Sequence, residues 1–275
     1  MNTTEVIAPL SSSVGGSQTS VPANRHPGFP SDAEIEALLP NMELVESDGE
    51  TMESDLYRLN RELLLATIAC HFNGRNNYYA GGNSFIYYSQ DQARHREFKG
   101  PDFYLIKGVS HEPIRPYWAV WNEGGRYPDV IIELLSPTTR KADFTTKKDV
   151  YEKTFRTGNY FCFDPKTKEL FGWKRQFAGY ADLKPIPNGR LWCDELNLWL
   201  GVWEGEFYGF HQSWLRFFTP EGQVVPVPAE IADAAEHQIH LARYEAEAAN
   251  RRAEAAEAEL AQLKALLNEQ GKTTK

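Results

Sequence analysis

The stretch "PDVIIELLSP", residues 128–137, has the pattern of a buried strand with an acidic residue in its middle. Five large aliphatic side chains are typical of such a strand: Val130, Ile131, Ile132, Leu134 and Leu135. Glu133 interrupts them, and a buried carboxylate without a partner either costs several kcal/mol or takes up a proton. Either a cation meets Glu133, or the stretch is not the strand that its hydrophobicity indicates.

Secondary structure around this stretch is indicated by hydrophobic periodicity and by turn residues. Before it, leucines at Leu56, Leu59 and Leu63 recur at spacings of three and four, which predicts an amphipathic helix over residues 53–72. Short strands are predicted within residues 77–82, 84–89, 102–109, 117–121, 129–135 and 160–165, and hairpins over residues 166–218. Between the last two of these strands, residues 138–158 predict a loop that leads into a helix ending at Gly158.

The two ends of the chain differ in composition from its middle. Residues 1–30 are rich in Ser, Thr, Gly and Pro and are predicted to be a flexible arm, and residues 31–40 predict a short helix capped by Ser31. A proline-rich boundary at about residue 228 precedes an Ala- and Glu-rich tail, residues 229–275, with an unbroken heptad seam. The seam comprises Ala232, Ala235, Ile239, Ala242, Ala246, Ala249, Ala253, Ala256, Leu260, Leu263 and Leu267. Either this helix forms a coiled coil, with itself or with a partner, or it is solvated and pairs with nothing.

Composition narrows the class of protein. The formal net charge of −9 argues against a protein that coats nucleic acid non-specifically. Three distant cysteines without a CxxC motif indicate buried thiols in a reducing cytoplasm rather than a disulfide framework or a structural zinc site. We expect neither a signal peptide nor a membrane-spanning segment. The chain also lacks a GxSxG turn, a P-loop and a GxGxxG motif.

A second acidic residue, Asp102, opens an earlier predicted strand in "GPDFYLI", residues 100–106. Two neighbouring strands would bring Asp102 and Glu133 to one pocket, with Asp129 and Ile131 on the same face as Glu133. Carboxylates that are forced together repel each other unless a cation neutralises them. Mg²⁺ and Mn²⁺ are the ions expected there, because both prefer oxygen ligands.

The helix predicted after Glu133 is basic. Its cations are Arg140, Lys141, Lys147, Lys148, Lys153 and Arg156. Lys147 and Tyr151 stand one turn apart and can face the same way, and an ammonium near a metal-bound water could stabilise an anionic transition state. The alternative on the residues alone is that Glu133 and Lys147 form a structural ion pair and that Asp102 caps a turn.

Residues 127–165, "YPDVIIELLSPTTRKADFTTKKDVYEKTFRTGNYFCFDP", together with "GPDFYLI", resemble the Uma-type restriction endonuclease family, which is widespread in bacteria and expanded in cyanobacteria. The resemblance covers about residues 40–220. The family belongs to the PD-(D/E)xK nuclease superfamily, which implies an α/β fold with a mixed sheet flanked by helices. We therefore expect a nuclease-like domain over residues 31–228, with added β-hairpins and the C-terminal helix.

The resemblance also implies a metal-dependent DNA endonuclease and its site residues. Asp102 matches the aspartate of the "PD" element and Glu133 the glutamate of the (D/E)xK element. Leu135 occupies the position where that element has its lysine, so the lysine is expected from the following helix, at Lys147, or at Lys148 if the register differs. The implied cofactor is Mg²⁺ or Mn²⁺, and the implied partner is DNA.

Four further residues are weaker candidates for the site. Asp129 could be a metal ligand, although a role in supporting the ligands or in a turn is favoured, and Ser136 could bind a phosphate or form the entry to the helix. Tyr151 could position the lysine or pack against the sheet, and Glu62 on the first helix could complete a metal site or be solvated. The rival function is a nuclease fold kept as a binding or assembly module. A lysine that reaches the Asp102 and Glu133 pocket favours the enzyme, whereas a lysine pointing elsewhere favours the module.

Overall fold

The computed structural model describes residues 55–95 and 98–273. The arm predicted for residues 1–30 and the short helix predicted for residues 31–40 lie outside the described residues. Among the helices in the described ranges, none is both long and apolar enough to cross a membrane.

A mixed sheet of six strands forms the centre of the described part of the chain. Its strands are β1 (Tyr78–Gly81), β3 (Phe103–Lys107), β5 (Val130–Leu134), β6 (Asn159–Phe163), β7 (Leu170–Gln176) and β8 (Gly179–Asp182). They lie side by side in this same order. The central pair β5 and β6 is parallel, and the other neighbours are antiparallel. A parallel pair needs a crossover connection, which here is the helical segment after β5. The mixed sheet flanked by helices that the family resemblance implied is confirmed.

The two faces of the sheet are covered by different elements. Val130, Ile132 and Leu134 of β5 point into a core to which α1 (Asp55–His71) and a second sheet also contribute side chains. Ile131 and Leu135 point into the opposite core, which the helical segment after β5 covers. Strand β5 is buried along its whole length, as its aliphatic run predicted, and Glu133 lies on the same face as Ile131 and Leu135.

The second sheet consists of β9 (Leu191–Cys193), β10 (Leu198–Phe207) and β11 (Phe210–Phe218), in the order β11, β10, β9. Strands β10 and β11 form the long hairpin that was predicted for this region. A short parallel pair, β2 (Ile86–Tyr87) and β4 (Trp118–Ala119), lies beside the main sheet, with α2 (Gln90–Arg94) between its strands in sequence.

The helical segment after β5 is broken rather than continuous. It consists of α3 (Arg140–Phe144), α4 (Thr146–Val150) and a π-helical turn (Tyr151–Phe155). The break falls at Thr145, whose backbone leaves the helical region (φ −123°, ψ −91°). The predicted end at Gly158 is wrong, because Arg156 adopts the left-handed conformation (φ 56°) and ends the helix two residues earlier.

The C-terminal helix, α5 (Pro228–Thr273, 46 residues), leaves the domain as a single element. It is fixed at its first turn by Glu230, whose carboxylate accepts two hydrogen bonds of 2.9 Å from the fully buried guanidinium of Arg216 on β11. A helix in this region was predicted correctly, while its pairing as a coiled coil and the division of the chain into domains stay predictions.

We predict that Glu230→Ala destabilises the protein by about 3 kcal/mol, because it leaves the buried Arg216 guanidinium without its carboxylate. Urea unfolding measures the effect. Glu236→Ala is the matched control, since Glu236 is an exposed residue of the same helix, and should change the free energy of unfolding by less than about 0.5 kcal/mol. Equal effects of the two substitutions would show that Glu230 does not anchor the helix.

Candidate functional site

Asp102 and Glu133 face each other one residue beyond the last recorded pair of the antiparallel strands β3 and β5. Phe103 pairs with Ile132 in the register of β3 and β5, which places Asp102, the residue before β3, across from Glu133. Directly opposed residues of an antiparallel pair share one face of the sheet. Asp102 also fixes the end of β5, because its Oδ2 accepts a 2.6 Å hydrogen bond from the Leu134 N–H. The two predicted acids are therefore brought together on the face that α3 and α4 cover.

The side chain that meets Glu133 is Lys147. Glu133 is 1% exposed, and its Oε1 lies 3.2 Å from the Lys147 Nζ. The same oxygen accepts a 2.7 Å hydrogen bond from the Tyr151 hydroxyl. Burial raises the pKa of Glu133, and Lys147 acts against that rise. The predicted one-turn spacing of Lys147 and Tyr151 thus puts both side chains on a single carboxylate.

Asp143 is a third acidic residue in this cluster, and the sequence analysis missed it. Asp143 is buried, and its Oδ1 lies 2.8 Å from the Lys147 Nζ. Its Oδ2 is buried without a hydrogen-bond partner. The sequence feature that could have indicated Asp143 is its spacing of four residues from Lys147, which places the two side chains on one side of a helix. An acid in a basic helix is usually solvated, however, so only the burial shown by the structure identifies Asp143.

The charges of this cluster do not balance. Burial alone would lower the pKa of Lys147, but Glu133 and Asp143 outweigh burial and raise it above its ordinary value. Lys147 is therefore a charged ammonium at neutral pH. Two buried carboxylates share this one ammonium, so the group of three side chains has a negative charge left over when both acids are ionised. We call Glu133, Asp143 and Lys147 the buried acid–lysine cluster.

Solvent reaches this cluster mainly at Lys147. The Lys147 side chain is 20% exposed, compared with 2% for Glu133 and 1% for Asp143. Asp102 is half-buried at the start of β3. Burial, followed by the charge of Glu133, raises the pKa of Tyr151, so that its hydroxyl remains a hydrogen-bond donor.

The remaining candidates lie in other surroundings. The Lys148 Nζ lies over the Trp173 ring, 4.2 Å from its centroid, so Lys147 and not Lys148 reaches Glu133. Asp129 Oδ2 accepts a 2.7 Å hydrogen bond from the Lys107 N–H at the opposite end of β5. Glu62 is paired with Arg58 at 2.7 Å on the exposed side of α1.

Ser136 belongs to a turn. Its hydroxyl lies 3.0 Å from the Thr138 Oγ1 and 2.9 Å from the Thr139 Oγ1, and it accepts a hydrogen bond from the Thr139 N–H. These contacts fit the helix-entry role that the sequence analysis named as one of two possibilities.

A cavity of about 410 Å³ opens beside the carboxyl end of β5. Its lining combines apolar, hydroxyl and charged side chains: Tyr57, Leu135, Ser136, Pro137, Arg140, Asp164, Lys166, Thr167 and Glu169. The Arg140 guanidinium is held there by Asp164 at 2.9 Å and by Glu169 at 3.2 Å. All of these lining residues except Tyr57, which lies on α1, follow Glu133 in the chain.

Comparison with known proteins shows the family of the chain. The model of the Uma2 family, described as "Putative restriction endonuclease", matches residues 37–202, more than half of the chain. The chain belongs to the Uma2 family. The resemblance inferred from the sequence is thereby confirmed. No curated protein matches the chain.

Among solved structures, the chain is similar to the crystal structure of a "putative nuclease belonging to DUF820" from Anabaena variabilis. The identity is 17% and the TM-score is 0.37, over 57% of this chain and 90% of the other. Metal dependence, a DNA substrate and the cytoplasmic location stay predictions for this member of the Uma2 family.

The donor atoms of the candidate site suit a hard divalent cation. Asp102 and Glu133 offer the oxygen ligands that Mg²⁺ and Mn²⁺ prefer, and the buried Asp143 Oδ2 adds an oxygen that has no hydrogen-bond partner. As the side chains stand, no three acidic, histidine or cysteine side chains in residues 55–95 and 98–273 form a ready-made metal cage. The chemistry of the residues thus fits the ion, while Lys147 occupies the space between two of the acids.

We predict that Lys147→Met destabilises the protein by about 3–5 kcal/mol at about pH 8 and by clearly less at about pH 5. Removal of the ammonium raises the pKa of Glu133 further above its ordinary 4.5. A carboxyl group whose pKa is higher in the folded than in the unfolded protein costs no stability at a pH below its unfolded pKa. Stability is lost as the pH rises through the folded pKa. Urea unfolding at the two pH values measures the difference.

Lys148→Met is the matched control for this prediction, because it removes the adjacent lysine, which stacks on Trp173. Its effect should stay below about 1 kcal/mol and should not depend on pH in this range. A loss in Lys147→Met that is equal at both pH values would contradict the charge balance described for the cluster.

Proposed function

We propose that this chain is a divalent-metal-dependent nuclease that hydrolyses phosphodiester bonds in DNA. Membership of the Uma2 family supports nuclease chemistry. The single observation that carries the proposal is the convergence of Asp102 and Glu133 on one face of the sheet with Lys147 in contact with Glu133. Two opposed acids and a lysine from the next helix are the constellation that the family resemblance implies.

Asp102 and Glu133 are the residues that we expect to hold the ion. A bound Mg²⁺ or Mn²⁺ would supply Lewis-acid activation of the phosphate and of a water molecule. The chain contributes the positions: the Leu134 N–H orients the Asp102 carboxylate, and the Tyr151 hydroxyl orients Glu133. Fixed ligands of this kind avoid reorganisation during the reaction.

Lys147 is suited to stabilise negative charge on the phosphate. Its pKa is raised by Glu133 and Asp143 against the effect of burial, so it stays protonated, and part of its side chain reaches solvent. Asp143 would act through Lys147 by holding the ammonium near Glu133. A protonated lysine next to a scissile phosphate lowers the energy of the more highly charged transition state.

DNA is the substrate class that we favour, although the basic segment after β5 offers fewer unpaired cations than its sequence suggested. Arg140, Lys147 and Lys153 are each held by acidic side chains. Lys141 and Lys166 are exposed, and Lys166 lines the cavity next to β5. These lysines are the side chains that we expect to contact the phosphodiester backbone.

We predict that the purified protein nicks or cuts plasmid DNA with Mg²⁺ or Mn²⁺, and that Asp102→Asn and Glu133→Gln each reduce the rate at least about a hundredfold, because each removes a charged ligand. Gel analysis of plasmid cleavage measures the rates. Asp149→Asn is the matched control, since Asp149 is an exposed acid that pairs with Lys153 on the neighbouring turn, and should cleave at the wild-type rate. Cleavage that survives both site substitutions would refute the assignment.

We predict that Lys166→Gln makes the affinity for DNA less sensitive to salt. The magnitude of the slope of log affinity against log salt should fall by about 1, because one phosphate contact is lost. Binding is measured in Ca²⁺ or EDTA, so that cleavage does not interfere. Lys184→Gln is the control, because Lys184 is exposed beyond β8, three strands away from β5. Equal slopes for all three proteins would exclude the cavity beside β5 from the DNA-binding surface.

A binding or assembly module is the second candidate, and one observation favours it. The Glu133 and Asp143 carboxylates are already in contact with Lys147, and both are almost completely buried. A nuclease fold that had lost its activity could keep such a cluster for stability alone. DNA binding without any metal-dependent cleavage, in a correctly folded protein, would favour this candidate over the enzyme.

A further inference from the structure

Helix α5 exposes an apolar stripe that nothing in the described part of the chain covers. Ile239, Leu260 and Leu263 belong to the heptad seam and are 53%, 54% and 55% exposed. Within the described residues, the ion pair between Glu230 and Arg216 holds the base of the helix. At 1.5 Å per residue, 46 residues extend about 70 Å, so most of the helix runs beyond the domain.

The polar and charged residues that flank this stripe are exposed to solvent in the single chain. With Ala232 as heptad position a and Ala235 as position d, Glu236, Arg243, Asn250, Glu257 and Lys264 occupy position e. Gln238, Glu245, Arg252 and Glu259 occupy position g. From residue 231 to residue 264, where the side chains of α5 are described, these groups make no ion pair.

We propose that α5 pairs with α5 of a second copy of this chain as a parallel, in-register coiled coil. In this arrangement each g residue meets the e residue five positions later on the other helix. Arg252 then faces the partner's Glu257, and Glu259 faces the partner's Lys264, twice each by symmetry. The two preceding g–e contacts, Gln238 with Arg243 and Glu245 with Asn250, juxtapose no like charges.

The apolar residues of the seam favour the same register. A parallel pair stacks Leu260 and Leu263 on their own copies, which concentrates apolar burial at the far end of the helix. A fully overlapped antiparallel pair would place these leucines against the Ala232 and Ala235 end, next to the folded domain. The parallel register therefore combines leucine packing with charge complementarity.

Alanine at most seam positions sets the strength of the dimer. Alanine allows two helices to approach closely but buries little apolar area, so the leucine end and the g–e charges contribute most of the affinity. We expect a reversible dimer, with both nuclease domains at the same end of the two-fold axis.

The mass of the full-length protein in solution tests whether the dimer forms. Light scattering across a dilution series should give a mass that rises toward twice 31.3 kDa as the concentration increases. A mass that stays at 31.3 kDa at every concentration would overturn the proposal.

Cysteine cross-linking of the full chain tests the orientation. Ala256 lies at position d and Ala258 at position f, and both are exposed in the single chain. Ala256→Cys should form an interchain disulfide under mild oxidation, whereas Ala258→Cys and the wild-type protein should not. Non-reducing gels show the products. Equal cross-linking at the two positions, or none at Ala256→Cys, would overturn the parallel register.

A charge reversal tests the g–e contacts. Glu259→Lys should raise the dissociation constant of the dimer about fivefold, because it places two lysines opposite each other on both sides of the dimer. Adding Lys264→Glu restores opposite charges and should return the constant to the wild-type value. An unchanged constant in Glu259→Lys, or no recovery in the double variant, would contradict the pairing.

Discussion

One ammonium shared by two buried carboxylates is the interaction on which the rest of this structure depends. Lys147 contacts both Glu133 and Asp143, and neither acid has another cation within the buried acid–lysine cluster. Burial raises the pKa of Glu133, and the charge of Lys147 acts against that rise. The break at Thr145 separates α3, which carries Asp143, from α4, which carries Lys147, without moving either from the sheet. The helical segment after β5 is thus both the cover of the sheet and half of its candidate site.

Local patterns in the sequence were sufficient to predict the elements of the site but not all of its members. The aliphatic run around Glu133 identified β5, and the one-turn spacing of Lys147 and Tyr151 placed both on one side of the helix. Asp143 could not be singled out, because burial depends on how the helix docks against the sheet. Gly158 was predicted to end the helix because glycine readily adopts the left-handed conformation. In the structure Arg156 adopts that conformation, so the helix ends before Gly158.

Long-range register set the limit of sequence reasoning. That Asp102 and Glu133 lie opposite each other depends on the antiparallel pairing of β3 with β5, which no local signal specifies. The tail shows the same contrast. Its heptad spacing predicted a helix, whereas the anchor between Glu230 and the buried Arg216 joins residues of two elements and emerged only from the folded chain. The periodicity of a sequence shows which residues share a face of a helix or strand. Which residues that face contacts depends on how the elements pack.

Binding of Mn²⁺ to the folded protein is the sharpest test of this account, because Asp102 and Glu133 are the residues proposed to hold the ion beside Lys147. Electron paramagnetic resonance measures the free Mn²⁺ that remains when each protein is titrated with the ion. The proteins compared are the wild type, Asp102→Asn and Glu133→Gln, with Asp149→Asn as the surface control. We predict saturable binding in the wild type and the control, and a loss of at least about tenfold in affinity in both site variants. Equal affinity in all four proteins, or no binding to the wild type, would contradict the account.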